Sequence, residues 1–354
     1  MVRVTISSLM LAAGVTALPA SDATLSTSAG SSDFDGTTTS QNVSMAAVQD
    51  TAATYNLLKT YDSSNWFNSF VVQALGTADP TGGFVNYVSQ SVAQSSGLYK
   101  IQNGQVYMGV DSTSVTSTGR NSVRIESSAA YTHGLFILDL AHMPASICGS
   151  WPAYWMYGPN WPNSGEIDII EVSNHIWRCK DATMSNPMTY IAAGCTVTVG
   201  EGGQSGSSGS NNCNDNSGYN GCPVYSSTGN SYGTGFNNAG GGVYATFWNG
   251  GSIQMWYWPR SSVPSDITNG SPAPSGWGTP MAHFAGCAFD NYIKNNNIVF
   301  DTTFCGQWAG NVWSSSNCPA TTGYSSCNDY VANNPGAFAN SYWLINSLKV
   351  YSVD

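Results

Sequence analysis

Short runs rich in β-branched and aromatic residues alternate with turn signals along most of this chain. The runs predicted as strands are 104–111, 121–127, 134–140, 165–172, 242–248, 253–258, 297–304 and 342–351. Between them lie turn sequences such as Asp79-Pro80, Asn249-Gly250 and Pro335-Gly336. Amphipathic helical stretches are scarce, and short strands at this spacing are typical of sandwiches and barrels. The sequence therefore predicts an all-β fold.

Charged side chains are unusually few in these 354 residues. They make up 8% of the chain, which is about a third of the usual share. Ten Lys+Arg against twenty Asp+Glu give a net charge of −10. Nucleic-acid backbones and anionic membrane surfaces both require clustered cations. The composition therefore argues against nucleic-acid and membrane partners.

The first 54 residues differ from the rest of the chain. Residues 1–20 begin with a basic residue, continue with an apolar stretch and end in small residues. This pattern is typical of a secretory signal peptide, with a short buried helix as the alternative. Residues 21–54 are rich in Ser, Thr, Ala and Asp, and we interpret them as a leader or propeptide. We therefore expect a secreted protein whose folded domain is 55–354, with Asn42 and Asn269 as candidate glycosylation sites.

Nine cysteines follow the predicted signal peptide. In a secreted chain they predict disulfide bonds and at least one unpaired thiol. Cys213/Cys222 and Cys318/Cys327 are close in sequence and lie in polar segments that a bridge would hold, although spacing does not determine the pairing. The four histidines are scattered, so the sequence predicts no metal site.

The run from Gly165 to Val172 places three acids among strong β-formers. In a regular strand Glu166 and Asp168 share one face, and Glu171 points to the other. A β-bulge between Asp168 and Glu171 would return Glu171 to the face of Glu166. We then expect the glutamate carboxyls about 5–6 Å apart, as in a retaining glycosidase. The alternative is an exposed strand with its acids outward, which crowded carboxylates without nearby cations would disfavour.

Aromatic residues cluster just before the acidic run, between Trp151 and Pro162. They are Trp151, Tyr154, Trp155, Tyr157 and Trp161. Any one of them is more often a core residue than a ligand contact. Because so many stand beside three acids, and because aromatic rings stack on the apolar faces of sugars, we interpret the group as a carbohydrate cleft.

Several segments in this order resemble glycoside hydrolase family 16, and most of all its secreted fungal endo-1,3(4)-β-glucanases, the laminarinase-like branch. The first set is Arg120-Asn-Ser-Val-Arg124-Ile, Gly134-Leu-Phe-Ile-Leu-Asp139, His142-Met-Pro144, Cys148-Gly-Ser-Trp151-Pro-Ala-Tyr-Trp155 and Gly165-Glu-Ile-Asp-Ile-Ile-Glu171. Further matches are Gly83-Phe-Val-Asn86-Tyr-Val, Phe304-Cys-Gly-Gln307-Trp-Ala-Gly and Trp343-Leu-Ile-Asn346. The resemblance covers about residue 55 to the C-terminus.

The resemblance implies a β-jelly-roll sandwich of two curved antiparallel sheets with a substrate cleft on the concave face. It implies that the domain 55–354 performs retaining endo-hydrolysis of β-1,3 and β-1,3-1,4 bonds in glucans such as laminarin and mixed-linkage glucan. By motif, Glu166 is the nucleophile, Glu171 is the acid/base and Asp168 assists the nucleophile. The implied substrate-binding residues are Trp155, Trp161, Trp151, Asn86 and Arg124. No cofactor is implied, since two-glutamate chemistry needs none, and we expect a monomer that binds β-glucan.

The chain departs from the family pattern at three positions. Ile191 stands where the family usually has a histidine beside the cleft, which bears on rate, pH optimum or linkage preference. Gln307 precedes Trp308 where an aspartate is common. Cys179 has no family counterpart and is our candidate for the unpaired thiol.

Two other functions compete with endo-hydrolysis. A non-catalytic glucan-binding protein of the same fold would be expected to lack one catalytic glutamate, and this chain keeps both. A cell-wall transglycosylase would use the same retaining chemistry but transfer the glycosyl group to a sugar. Transglycosylases of the family tend to have one residue fewer between the acids, whereas galactan-cleaving members share the spacing found here.

Overall fold

The computed structural model describes residues 54–174, 188–190, 197–199, 203–209, 213 and 221–353, with only the backbone given for 188–190 and 199. The predicted signal peptide, the leader up to residue 53, Cys179 and Ile191 lie outside the described residues. In the described ranges, no helix has the length and apolar character needed to cross a membrane.

Strands dominate the described part of the chain. In order they are β1 (Leu57–Tyr61), β2 (Phe70–Val72), β3 (Val85–Tyr87), β4 (Tyr99–Gln102), β5 (Gln105–Gly109), β6 (Arg120–Ser122), β7 (Ile125–Tyr131), β8 (Gly134–His142), β9 (Ser150–Tyr157), β10 (Glu166–Glu171), β11 (Met188–Tyr190), β12 (Thr198–Val199), β13 (Ser207–Ser208), β14 (Val224–Tyr225), β15 (Gly242–Trp248), β16 (Ser252–Pro259), β17 (Ala282–Ala285), β18 (Asn296–Phe304) and β19 (Tyr342–Tyr351).

Helices are short and lie between strands. They are α1 (Trp66–Ser69), α2 (Gln90–Ser95), α3 (Gly233–Asn238), α4 (Ser265–Thr268), α5 (Cys318–Thr322) and α6 (Cys327–Asn333). Short 3₁₀ turns occur at Arg260–Ser262, Pro274–Gly276, Phe289–Asn291 and Pro335–Phe338, and a π turn occurs at Gly306–Gly310.

Two large antiparallel sheets form the body of the domain. The front sheet has the strand order β11-β10-β9-β18-β7-β2. The back sheet has the order β12-β17-β16-β15-β8-β19-β5-β4, with β1 also paired to β19. Two small pairs complete the described strands, the antiparallel β13–β14 and the parallel β3–β6. The predicted all-β sandwich of antiparallel sheets is confirmed.

Side chains along the strands of the front sheet alternate between the core and the opposite face of the sheet. On β9 and β18, Tyr154, Met156 and Phe300 are almost fully buried and belong to the core between the sheets. The Tyr154 and Phe300 rings stack with their centroids 4.6 Å apart. Each such side chain contributes about 1.5–3 kcal/mol through burial. The intervening residues, such as Trp155 and Asp301, therefore occupy the opposite face, away from the core.

Two sequence predictions need correction in this region. The predicted strand 121–127 is interrupted at Val123 and Arg124, because β6 pairs with β3 whereas β7 pairs with β18 and β2. The chain therefore changes partners between them. The aromatic cluster at Ser150–Tyr157 is itself a central strand of the front sheet, which the sequence analysis did not predict.

Disulfide bonds join distant parts of the chain. The Cys213–Cys222 bridge is present, as proximity in sequence suggested. The neighbouring pair Cys318/Cys327 does not form. Instead Cys318 pairs with Cys148 and Cys327 pairs with Cys305, because α5 and α6 each begin with a cysteine buried in one apolar cluster. Cys287 is also disulfide-bonded.

Candidate active site

The acidic strand β10 carries the predicted bulge. Against β9, Asp168 pairs with Trp155 and Ile170 pairs with Tyr154, so Ile169 is an extra residue in the ladder. This extra residue returns Glu171 to the face that holds Glu166 and Asp168. The three isoleucines of the strand are fully buried in the core between the sheets. The acids therefore share the face of the front sheet that points away from the core.

Gly165 sets the entry to this strand. Its φ is +73°, and a Cβ there would lie 2.6 Å from Cγ1 of Ile293 and 2.9 Å from the carbonyl oxygen of Tyr292. A larger residue would meet both strain and backbone contact. The glycine therefore allows β10 to start close against the segment before β18.

All three acids are buried, which is costly for ionised carboxylates. Glu166 is 9% exposed, Asp168 is 1% and Glu171 is 8%. Burial raises the pKa of each, and the charges of Glu166 and Glu171 raise the pKa of Asp168 further. Because three adjacent carboxyls cannot all ionise, the site retains protons near neutral pH.

Two tryptophans hold the outer glutamates from opposite sides. The indole N–H of Trp161 donates to Oε2 of Glu166, and that of Trp151 donates to Oε1 of Glu171 over 3.0 Å. The other oxygen of Glu171, Oε2, is buried and has no hydrogen-bond partner among the described residues. Trp161 itself is 40% exposed. Within the described residues, Glu171 is thus held through one carboxyl oxygen only.

The third tryptophan belongs to a separate network on the same face. The indole N–H of Trp155 donates to Oδ2 of Asp301 over 3.1 Å, and Nη1 of Arg124 lies 3.4 Å from the same oxygen. The Arg124 guanidinium also pairs with Glu126 and stacks over Trp155 and Tyr157. Since Arg124 is only 7% exposed, its donors are largely occupied by protein. Arg124 thus contacts both Trp155 and its hydrogen-bond acceptor Asp301, and its predicted contact with substrate stays a prediction.

The predicted substrate-binding residue Asn86 belongs to the small parallel pair β3–β6, outside the front sheet that carries the acids. It lies on β3 and donates to Oδ1 of Asn121 over 2.6 Å. Its side chain is partly exposed. No group of three or more His, Cys, Asp or Glu side chains in the described ranges is arranged to hold a metal ion.

Three residues at this face were not predicted from the sequence, namely Glu126, Asp301 and Trp308. Tyr157 donates to Glu126, and Trp308 packs edge-on against Trp151 with centroids 5.5 Å apart. Asp301 could have been noticed as the lone acid within the strand 297–304, and Trp308 stands inside a motif already quoted. The role of Asp301 depends on contacts with Trp155, 146 residues away.

The raised pKa of Asp301 predicts how the free energy of unfolding depends on pH. Burial raises its pKa to about 6 from 3.8, although Arg124 and Trp155 act in the opposite direction. The folded state thus holds this proton more tightly than the unfolded state, and stability falls as pH rises from about 4 to 6. In the Asp301→Asn variant, the free energy of unfolding should fall by up to about 3 kcal/mol less over this pH range than in the parent protein. Urea unfolding at pH 4 and pH 7 measures it, and an equal fall in both proteins would contradict the assignment.

Comparison with known proteins identifies similar chains. The chain is 45% identical over 315 residues to a probable endo-1,3(4)-beta-glucanase of Aspergillus clavatus, covering 86% of this chain and 48% of that protein. It is 42% identical over 310 residues to the endo-1,3(4)-beta-glucanase xgeA of Emericella nidulans, covering 85% and 48%. The chain therefore spans about half the length of these curated relatives.

Two solved structures resemble this fold closely. An elongating family 16 beta-1,3-glucosyltransferase is 43% identical with a TM-score of 0.77, covering 84% of this chain and 100% of that one. Laminarinase 16A from Phanerochaete chrysosporium, with 6-O-glucosyl-laminaritriose in its donor and acceptor sites, is 39% identical with a TM-score of 0.75, covering 85% and 100%. Both matches confirm the predicted jelly-roll.

The family model of the XgeA-like catalytic domain of glycoside hydrolase family 16 matches residues 73–351. The match includes the bulged acidic strand and the tryptophans around it. The chain therefore belongs to glycoside hydrolase family 16, among its XgeA-like catalytic domains.

Proposed function

We propose that this domain is a retaining endo-β-glucanase that hydrolyses internal β-1,3 and β-1,3-1,4 bonds of β-glucans. The observation that carries the proposal is the bulged strand β10, which presents three buried carboxyls of raised pKa on one face. Acid-assisted cleavage of a glycosidic bond requires neighbouring carboxyls of which one is protonated and another is ionised.

The surroundings of the two glutamates distinguish their roles. Besides burial, Glu166 has three neighbours that lower its pKa, namely Trp161, Asp168 and Arg124. At Glu171, the described neighbour Trp151 lowers the pKa through its hydrogen bond, and the charge of Glu166 raises it. Ionisation is therefore easier at Glu166, the nucleophile, and the proton resides on Glu171, the general acid. Asp168 holds a second proton and hydrogen-bonds to Glu166.

The reaction then proceeds in two displacements. The Glu166 carboxylate attacks C1, the glycosidic C1–O bond breaks, and the departing oxygen takes the proton of Glu171. In the second step Glu171, now a carboxylate, accepts a proton from water as the water oxygen attacks C1. The ester bond to Glu166 breaks, and both glutamates return to their starting states.

The substrate class follows from the face around the acids and from the relatives. Trp161 is exposed beside Glu166, and Trp155 is partly exposed, so aromatic surface is available for stacking on glucosyl rings. The similar fungal proteins are named endo-1,3(4)-beta-glucanases. The similar laminarinase holds a β-1,3-linked glucan in its crystal structure. These observations support laminarin and mixed-linkage glucan as substrates.

The test is product release from laminarin, mixed-linkage β-glucan, cellulose and agarose. The protein is compared with its Glu166→Gln variant, which serves as the blank. Short oligosaccharides from laminarin or mixed-linkage glucan would support the proposal and rank the two linkages. Release from agarose alone would contradict the substrate, whereas binding without release would favour the non-catalytic reading.

The Trp161 hydrogen bond predicts a shift in the pH profile. Trp161→Phe keeps an aromatic ring but removes the donor that lowers the pKa of Glu166. Because a hydrogen bond to a charged group contributes about 1.5 kcal/mol, the acid limb of kcat/KM on laminarin should move up by about one pH unit. Trp258→Phe, the same change on the back sheet, should leave the limb in place. Equal profiles for both variants would contradict the role of the indole N–H.

A second outcome of the same chemistry is transfer of the glycosyl group to a sugar. The observation that favours it is the glucosyltransferase at 43% identity, which is as similar to this chain as the hydrolytic relatives are. Overall similarity therefore does not separate transfer from hydrolysis. The partition between water and a sugar acceptor has to be measured directly.

The proposal includes a secreted, monomeric and glycosylated protein. Disulfide bonds at seven described cysteines support an oxidising compartment. Asn269 is exposed at the end of α4, where a glycosyltransferase could reach it. Expression with and without residues 1–20, followed by analysis of the medium and of mass after deglycosylation, tests secretion and glycosylation.

A further inference from the structure

The acidic strand is followed by a buried asparagine in an uncommon backbone conformation. Asn174 lies three residues after Glu171, is 5% exposed and has a φ of +52°. Among residues with a side chain, asparagine is one of the few that adopt this left-handed conformation readily. Because a buried amide needs hydrogen-bond partners for both its oxygen and its nitrogen, the position of Asn174 predicts specific contacts.

The Asn174 amide joins two segments that are far apart in sequence. Its Oδ1 accepts from the backbone N–H of Gly149 over 2.7 Å, and its Nδ2 donates to the carbonyl oxygen of Ala309 over 2.7 Å. Its backbone N–H also donates to the carbonyl oxygen of Ser150 over 3.2 Å. Gly149 and Ser150 stand where β9 begins, whereas Ala309 belongs to the π turn at Gly306–Gly310. One residue therefore connects the end of the acidic strand with both segments.

The two segments carry tryptophans that are linked to the acid/base. Trp151 lies on the first segment, and its indole N–H donates to Oε1 of Glu171 over 3.0 Å. Trp308 lies on the second segment, and its ring meets the Trp151 ring edge-on with an interplanar angle of 87°. The Asn174 amide thus fixes the distance between the backbones from which the two rings project.

The contact at Gly149 is made to a backbone that is itself held in place. Gly149 has a φ of +83°, and a Cβ there would lie 2.6 Å from Cγ2 of Val331. Its carbonyl oxygen accepts from the backbone N–H of Cys305, which forms a disulfide bond with Cys327. Because Gly149 has so little room to move, the Asn174 amide connects the acidic strand to a firm support.

The indole N–H of Trp151 influences how the acid/base presents its proton. Transfer to the leaving oxygen requires a carboxyl that is oriented within hydrogen-bond reach of that oxygen. A protonated carboxyl can accept through one oxygen while the other carries the proton. Since Oε1 of Glu171 accepts the indole N–H, this contact favours the proton on Oε2. Displacement of the Trp151 ring would therefore disturb both the orientation of Glu171 and the place of its proton.

We propose that Asn174 is a positioning residue for the acid/base Glu171. Its amide holds the backbones that carry Trp151 and Trp308, and so keeps the Trp151 indole N–H on the Glu171 carboxyl. The inference rests on the proposed function, because it needs Glu171 as the general acid. Asn174 takes no proton itself, and its effect reaches the reaction through Trp151.

The experiment is a double-mutant cycle that is read from the pH profile of kcat/KM on laminarin. The proteins are the full chain, Asn174→Gly, Trp151→Phe and the variant with both changes. Glycine permits the positive φ while removing the two amide hydrogen bonds, and phenylalanine keeps a ring but lacks the donor. No variant alters a charged group of the site. The control is Asn237→Gly, since the Asn237 amide makes the same pair of bonds to the backbone of Met143, the residue after β8.

Trp151→Phe should move the basic limb up by about one pH unit, because the lost hydrogen bond lowers the pKa of Glu171. Asn174→Gly should move the limb in the same direction by about half a unit, since the bond is loosened but not removed. The double variant should match Trp151→Phe, because Asn174 acts through that indole. Asn237→Gly should match the parent protein.

Thermal unfolding of each variant separates positioning from a loss of stability. Both asparagine variants should unfold at a lower temperature than the parent, but only Asn174→Gly should shift the basic limb. An unshifted limb in Asn174→Gly or Trp151→Phe, or shifts that add in the double variant, would overturn the positioning role, while hydrolysis by the parent upholds the proposed function. If the glycine variant does not fold, Asn174→Ser, whose shorter side chain cannot bridge both partners, takes its place. A parent protein that does not hydrolyse laminarin would overturn both proposals.

Discussion

Replacing Glu166 with glutamine should lower hydrolysis of laminarin by about 10⁴-fold or more, because the amide cannot form the glycosyl ester. Glutamine has the same shape, and its Oε1 can still accept the Trp161 N–H that the carboxylate accepts now. Folding and glucan binding should therefore persist. Reducing-sugar release measures the first effect, and affinity electrophoresis on laminarin together with thermal unfolding measures the other two.

Asp168→Asn is the matched comparison for this variant. It changes a neighbouring carboxyl on the same strand face in the same way, but it removes no atom that bonds to the sugar. Its loss should be smaller, since the amide can still donate a hydrogen bond to Glu166. If Glu166→Gln kept more activity than Asp168→Asn, the nucleophile would be assigned to the wrong residue.

Local pattern was sufficient to predict the acidic strand. Three isoleucines favour burial, and Glu166 and Glu171 can share a face only if one residue is added, so the interpretation of the two glutamates as a pair predicted the bulge. Long-range contacts could not be read in this way. The role of Asp301 depends on Trp155 of the adjacent strand, and its raised pKa depends on burial that only the assembled sheet produces.

The disulfides show the same limit. Cys213 and Cys222 are nine residues apart and do pair. Cys318 instead forms its disulfide bond with Cys148, 170 residues away, and not with the nearby Cys327. Sequence distance predicts pairing only within a single loop. Pairing across the fold depends on which strand ends meet α5 and α6, and no local signal carries that information.

Replacing Glu171 with glutamine should produce a loss that depends on the leaving group. On laminarin, departure of a sugar oxygen needs the proton, and the rate should fall by about 10²–10⁴-fold. On 4-nitrophenyl β-laminaribioside the leaving group needs little assistance, so formation of the glycosyl-enzyme should be nearly normal. Its breakdown should then be slow because the base is lost. Stopped-flow absorbance should show a burst of nitrophenol equal to the enzyme present, followed by slow turnover.

Glu126→Gln is the matched control for this result. Glu126 lies in the same face but accepts from Tyr157 and Arg124, so it has no part in proton transfer to the leaving oxygen. Any loss in that variant should be the same for polymer and aryl glycoside, and no burst should appear. Azide, an anion that needs no general base, should accelerate the slow phase of Glu171→Gln alone. If Glu171→Gln slowed hydrolysis of the polymer and of the aryl glycoside equally, Glu171 would not be the residue that supplies the proton.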